Sequence, residues 1–361
     1  MAGPPILIFH RPAATDDAPL VRLLATARRL LAEQQATLFR QAGGGQVRWL
    51  MRAGASFGEL LAAEAPRRGG LVVLGSGAAA RLNRRDVGLL VAAAGAGGRR
   101  ALTNNRYSSD ICAVSDAAVL AGLPALHSDN SLPRWLEERA GFTVAELAGR
   151  QRLALDLDTP LDVALAALAP AAPGWLRRLV AEAGLAVPLR AELRDLAADP
   201  HRELLVFGRS SSRTLRWLER NVRCRVRFLA EERGLRASSL MAIGGPASTT
   251  QRRPPRATIG RLLDERGPAA LAGIVAELAD GAIVDTRVLF ADRYGPDDAV
   301  WPAPADRYAS DLLRSGEVSD PWLRALTGSA AASSLPIVLG AHTLVGPGIA
   351  LVLARPRADV E

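Results

Sequence analysis

Short apolar runs that alternate with helical stretches constrain this chain more than any other feature. Ile6–Phe9, Val47–Met51, Leu71–Leu74, Arg100–Thr103, Ile111–Ser115 and Leu153–Leu157 read as strands. Between them Ala18–Phe39, Phe57–Ala65, Arg85–Ala94, Leu132–Ala140 and Leu161–Leu168 read as helices. Strands that are apolar throughout, rather than in alternation, are buried on both faces. A mainly parallel sheet covered on both sides, in a three-layer α/β domain, is the arrangement that satisfies this pattern.

Pro170-Ala-Ala-Pro173-Gly174 interrupts the block and marks a boundary. The expected organisation is a domain over residues 1–172, a helical connector over 173–202 broken at Pro188, and a second α/β domain over 203–361. In that second half Leu204–Phe207, Val226–Leu229, Ile283–Ala291, Ile337–Leu339 and Ile349–Leu353 read as strands. Thr214–Asn221, Ile259–Leu278, Ala309–Arg314 and Pro321–Ala331 read as helices, and Met241–Pro255 as a polar loop.

Composition removes several classes of function. The sequence has no lysine, so all 45 basic residues are arginines. That excludes a Walker A lysine, a Schiff-base lysine and a kinase ATP lysine. Two cysteines, Cys112 and Cys224, exclude a disulfide framework. The four histidines (His10, His127, His201, His342) are scattered without a metal-binding spacing. No apolar run approaches the roughly 20 residues of a membrane helix, and the N-terminus lacks signal-peptide character, so a cytoplasmic location is expected. The net charge of +8 invites a nucleic-acid reading. Against it, the arginines alternate with acids, and the one dense cluster, Arg252-Arg253-Pro-Pro-Arg256, has no recognition motif beside it.

Two stretches of the first domain carry chemistry. In Leu153-Ala-Leu-Asp156-Leu-Asp158-Thr159-Pro160-Leu-Asp162-Val163, Asp158 and Thr159 are placed to cap a helix whose first residue is Pro160. On a strand, Asp156 and Asp158 would share a face, a pair suited to Mg²⁺. This stretch resembles the "DIDTPEDL" turn of small nucleotidyltransferases of the GT-A type, among them the phospholactate and molybdenum cofactor guanylyltransferases. Gly70–Val87 is similar to their strand and "ADLP" segment, and Leu102–Val114 to their strand and base-recognition segment. The resemblance covers residues 5–168. It implies a Rossmann-like sheet, a nucleoside triphosphate and Mg²⁺, with Arg11, Ser76, Ser108, Ser109 and Asp110 in the nucleotide-contacting places and Asp156 and Asp158 as metal ligands.

Departures from that family are as informative. The place of its glycine-rich triphosphate loop reads His10-Arg11-Pro-Ala-Ala-Thr15-Asp16-Asp17, with no glycine and two carboxylates. Its metal-binding Asp falls on Ser76 or Gly77, and its loop lysine has no counterpart. A domain degenerate for nucleotidyl transfer is expected.

Other readings compete. Gly75-Ser76-Gly77 after a strand also fits a dinucleotide fingerprint, with Arg99 and Arg100 available for an NADP 2′-phosphate. In the second domain Gly208-Arg209-Ser210-Ser211-Ser212-Arg213-Thr214 joins a strand to a helix and offers hydroxyls, arginines and helix amides to an anion. Asp285 and Arg287, placed on one strand face, join Asp306, Asp311 and His342 as candidates to line a cleft, four of which (Asp285, Arg287, Asp311, His342) are candidate catalytic groups. The first function expected is binding of a nucleotide or phosphorylated metabolite. A non-catalytic partner subunit, homo-oligomeric or otherwise, is the second, and an NADP-dependent oxidoreductase the third.

Overall fold

The structure, a computed structural model, describes residues 3–51, 56–126, 129–232 and 256–354. Among these the chain forms two compact units: residues 3–17 and 22–158, and residues 18–21, 159–232 and 256–354. His127, Arg252, Arg253 and the Met241–Pro255 loop lie outside the described residues.

The first unit is built on strands β1 (Ile6–His10), β2 (Val47–Met51), β3 (Leu71–Gly75), β4 (Arg100–Thr103), β5 (Ile111–Val114) and β6 (Thr143–Glu146), in the order β2-β1-β3-β5-β4-β6. β1 runs parallel to β2 and β3, and β4 parallel to β6. β5 is antiparallel to both its neighbours. The alternation within β1 shows why the sheet is covered on both faces. Leu7 and Phe9 pack with α2 (Phe57–Glu64) and α4 (Leu132–Glu138). Ile6 and Ile8 pack with α1 (Pro19–Gln41) and α3 (Arg84–Ala94). Burying one such side chain contributes roughly 1.5–3 kcal/mol.

The second unit has a parallel four-stranded sheet of β7 (Glu203–Gly208), β8 (Arg225–Ala230), β9 (Ala282–Asp285) and β10 (Ile337–Gly340), in the order β10-β9-β7-β8. One face packs Leu205, Phe207, Val284 and Leu339 against α10 (Thr258–Arg266), α11 (Leu271–Leu278), α12 (Thr286–Tyr294) and α14 (Pro321–Ala331). On the other face Leu204, Val206, Ile283 and Val338 are fully buried. There α8 (Arg190–Ala198) contacts β7, and α15 (His342–Val345) contacts β7, β9 and β10. The unit also contains α6 (Pro160–Ala167), α7 (Gly174–Glu182), α9 (Ser212–Asn221), α13 (Pro304–Asp311) and α16 (Ile349–Leu353).

Both halves are thus α/β, with a mostly parallel mixed sheet in the first and a parallel sheet in the second. Three expected strands are corrected. Leu153–Leu157 is the end of a short helix, α5 (Arg150–Leu153), followed by irregular backbone. Ile283–Ala291 is a strand only to Asp285, whose side chain accepts from the Arg287 amide and starts α12. Ile349–Leu353 is helical. The helix expected at Ala309–Arg314 spans Pro304–Asp311 instead, and β6 was not foreseen.

Helix α6 begins where the sequence places it, and Thr159 alone caps it. The Thr159 hydroxyl accepts from the Asp162 amide, and the Asp162 carboxylate accepts from the Thr159 amide at 2.8 Å. Asp158 is instead ion-paired with Arg28. Thr159→Ala is therefore expected to cost about 1 kcal/mol in urea unfolding, and Asp158→Ala no more than about 0.5 kcal/mol.

Candidate functional site

In an open α/β sheet, ligands bind beyond the carboxyl ends of the strands where the strand order reverses. Each sheet here has such a point, between β1 and β3 in the first unit and between β7 and β9 in the second. In both, side chains from the two strand ends meet across it.

In the first unit the meeting is between neutral groups. His10 ends β1, Ser76 follows β3, and His10 Nδ1 lies 3.0 Å from Ser76 Oγ. Both residues are buried. Burial, then Arg28 and Arg29, hold the His10 imidazole below its ordinary pKa, so the ring is neutral at pH 7. The Gly75–Ala80 turn that would cradle a phosphate has spent five of its six amides. Gly75 donates to Asp110 O, Ser76 to Phe9 O, Ala78 to Gly75 O and Ala80 to Leu155 O. Ala79 donates to Asp156 Oδ1 at 2.6 Å. Gly77 packs under Leu157 and Arg28 so closely that a Cβ there would lie 2.9 Å from Leu157 O. Helix α3 starts only at Arg84, capped by Asn83. A dinucleotide fingerprint needs free amides that open directly into a helix, and this turn lacks both features.

The remaining residues implied by the resemblance are dispersed in role. Arg11 is exposed. The Ser108 hydroxyl donates to Asn130 at 2.8 Å. Ser109 is buried and bonded to Thr103 Oγ1 at 2.8 Å. Asp156 and Asp158 do not stand on a strand, so the expected same-face pair is not formed: the first is buried under the Ala79 amide, the second half-exposed against Arg28. Among the described residues no group of three or more His, Cys, Asp or Glu is disposed to hold a metal ion. Asp110 immediately precedes β5 and accepts from Asn104 Nδ2 at 2.9 Å. Burial and the neighbouring Asp129, with Asp158 behind it, push its carboxyl up to about 8 against the hydrogen bonds from Asn104 and Asp156. The group is thus protonated at neutral pH.

In the second unit the crossing is ionic. Arg209 follows β7 and Asp285 ends β9. Arg209 Nε donates to Asp285 Oδ2 at 2.7 Å and Nη2 to Oδ1 at 3.1 Å. Asp285 has no solvent exposure. Burial opposes its charge, but Arg209, His342 and Arg287 outweigh that and hold the carboxyl below its usual range. Gly208 makes the approach feasible: its φ is +125°, and a Cβ there would lie 2.2 Å from the Asp285 Cβ. Beyond the pair the three serines divide their work. Ser210 donates to Val345 O at 2.5 Å. Ser211 caps α9 by accepting from the Thr214 amide, and Ser212 is exposed with Arg213.

Asp285 and Arg287 do not share a strand face. Arg287 turns into a separate buried pair, donating to both oxygens of Asp311 (Nη2–Oδ2 2.7 Å) and to Thr286 Oγ1 at 2.9 Å. Burial opposes the Arg287 charge, yet Asp311 and Asp285 hold its pKa above the ordinary value. Asp306 accepts the Ser319 and Asp320 amides and is a structural cap. His342 is partly exposed beside Asp285. Burial pushes the Cys112 thiol up to about 12 and that of Cys224 to about 11, so neither is a nucleophile at neutral pH.

The sequence reading missed Arg28, Asn104, Asp129 and Arg307, all in contact with these clusters or beside them. No local pattern marks an arginine on a helix as facing inward. Comparison of the chain with protein-family models, curated proteins and solved structures finds no match.

Two outcomes are expected. A carboxyl whose pKa is raised on folding binds its proton more tightly in the folded state, so its contribution to stability is present below about pH 4 and lost as pH rises towards 8. Asp110→Asn should flatten that fall, so its advantage in melting temperature over the parent should widen from pH 5 to pH 8.5. Arg287→Ala strands Asp311 and should cost about 3–5 kcal/mol, while Arg287→Met with Asp311→Leu should restore most of that loss in chemical denaturation.

Proposed function

We propose that this chain binds a nucleotide or a phosphorylated metabolite, and that its ligand is held at the carboxyl edge of the parallel sheet in the second unit. The first unit is read as a divergent GT-A nucleotidyltransferase-like domain that no longer transfers nucleotidyl groups. One observation carries the proposal. The segment Gly208–Thr214 lies at the strand-order reversal and opens a helix with Ser212 and Arg213 exposed in its first turn. Helix amides, a hydroxyl and a guanidinium together match the acceptors of a phosphate group. The degenerate reading of the first unit is supported by the spent amides of Gly75–Ala80 and by the neutral His10–Ser76 pair where a triphosphate would need charge. The same spent amides weigh against the NADP reading through Gly75-Ser76-Gly77. No helix among the described residues is long and apolar enough to cross a membrane.

The test is a thermal-shift panel of nucleotides, sugar nucleotides, NADP and simple phosphate esters, with and without Mg²⁺. A ligand at 100 times its dissociation constant should add about 2.7 kcal/mol of stability. Ser212→Ala combined with Arg213→Gln should remove most of that shift and leave the ligand-free melting temperature unchanged, because both side chains are exposed. A flat response across the panel, together with a stable self-associated form in sedimentation, would favour the partner-subunit reading.

A further inference from the structure

Among the described residues the Arg307 side chain has no counter-charge bonded to it, unlike Arg209 and Arg287. It sits on α13, one turn before Asp311, so the two share a helix face. Among the described residues its guanidinium makes no ion pair, and its Nε is buried without a hydrogen-bond partner. The neighbouring carboxylates are committed elsewhere or held at a distance. Asp311 gives both oxygens to Arg287. Asp306 gives both to the Ser319 and Asp320 amides. Asp285 gives both to Arg209. Asp298 acts on Arg307 only through space.

The surroundings add positive charge. Arg287 is near enough that, after burial, it is the main influence lowering the Arg307 pKa. Two guanidiniums thus lie in the field of one carboxylate, Asp311, which is bonded only to Arg287. The wall beside them is rigid. Arg307 lies 5.8 Å from the centre of the Trp301 ring. Trp301 is fixed by its Nε1 donating to Gly295 O at 2.8 Å and by the Phe290 ring at 5.6 Å. A cation–π contact with an indole attracts a guanidinium without neutralising it. A half-buried cation held in place, next to a second cation, with the local carboxylates already bonded, lacks an anion.

We propose that Arg307, in cation–π contact with Trp301 beside the Arg287–Asp311 pair, is an anion-binding group that takes the phosphate of a phosphate monoester. The inference rests on the reading of the second unit as a phosphate-recognising domain, and it names a residue outside the Gly208–Thr214 segment. Arginine is suited to the task because its planar fork donates two parallel hydrogen bonds to one oxyanion. Inorganic phosphate is the minimal probe, since it carries the charge and oxygen geometry without the rest of the ligand.

The experiment measures the melting temperature of the full chain against millimolar inorganic phosphate at pH 7, with chloride at matched ionic strength as control. Phosphate should raise the melting temperature of the parent. Arg307→Met, which keeps the stem packed on Trp301, should lose most of that rise without lowering the phosphate-free value, because it removes a cation that no side chain matches. Arg307→Lys should keep part of the response. An unchanged phosphate response in Arg307→Met, no response in the parent, or a fall of several degrees in phosphate-free Arg307→Met would each overturn the assignment. The Ser212→Ala, Arg213→Gln variant separates this inference from the broader reading. If that variant loses the response while Arg307→Met keeps it, the anion sits at α9 and the role of Arg307 fails alone.

Discussion

A carboxylate with no solvent contact must be matched by donors, and the second unit depends on how Asp285 is matched. Its oxygens accept from the Arg209 backbone, from Nε and Nη2 of the Arg209 side chain and from the Arg287 amide. The first three tie the end of β9 to the loop after β7. The last turns the chain from strand into helix α12. The arrangement requires glycine at 208, because a side chain there would occupy the space of the Asp285 Cβ. Arg287, placed by that turn, then reaches Asp311 at the end of α13. One buried charge thereby fixes the register of two strand ends and the starts of two connected elements. Such a network costs desolvation at every member, and it holds only while all members are present.

The two strand-order reversals solve the same geometric problem in different chemical ways. Between β1 and β3 the groups are neutral, and the turn beyond them is bonded into the segment around Leu155 and Leu157. A phosphate arriving there would displace backbone hydrogen bonds, and the nearby arginines, Arg28 and Arg29, are already paired with Asp158 and Glu33. Between β7 and β9 the crossing is an ion pair whose arginine is partly exposed while its carboxylate is not. Beyond that pair the loop leaves Ser212 and Arg213 exposed, so an anion can bind there without drawing on a donor that Asp285 needs. This difference in uncommitted donors, rather than any difference in sheet geometry, is why the proposed ligand is assigned to the second unit.

Much of the fold was legible in the sequence because the strands that are buried on both faces are short and apolar throughout. β1, β3, β7 and β10 fall within a residue of where their side chains place them. The failures have physical causes. Leu153–Leu157 has strand composition, but the amides of Leu155 and its neighbours belong to a turn contact: Leu155 O accepts from Ala80, and Leu157 donates to Gly77 O. Ile283–Ala291 is apolar enough to be one strand, and only the capping role of Asp285 divides it. Ile349–Leu353 is apolar on all sides, so periodicity alone could not tell a buried helix from a buried strand.

The candidate site was legible in part, and for a definable reason. Loop residues with unusual chemistry, such as Arg209 and the serines after it, stand out because they follow an apolar strand. Residues that matter through burial do not. Arg307 and Arg287 look like two more arginines among many, and only the three-dimensional accounting of carboxylates separates them. Arg287 has its counter-charge in Asp311, whereas the Arg307 side chain bonds to none. Sequence can locate a cation, but whether its charge is matched depends on which acids the fold has already engaged. In a chain whose every basic residue is an arginine, that accounting carries the distinction between a structural charge and one held for a ligand.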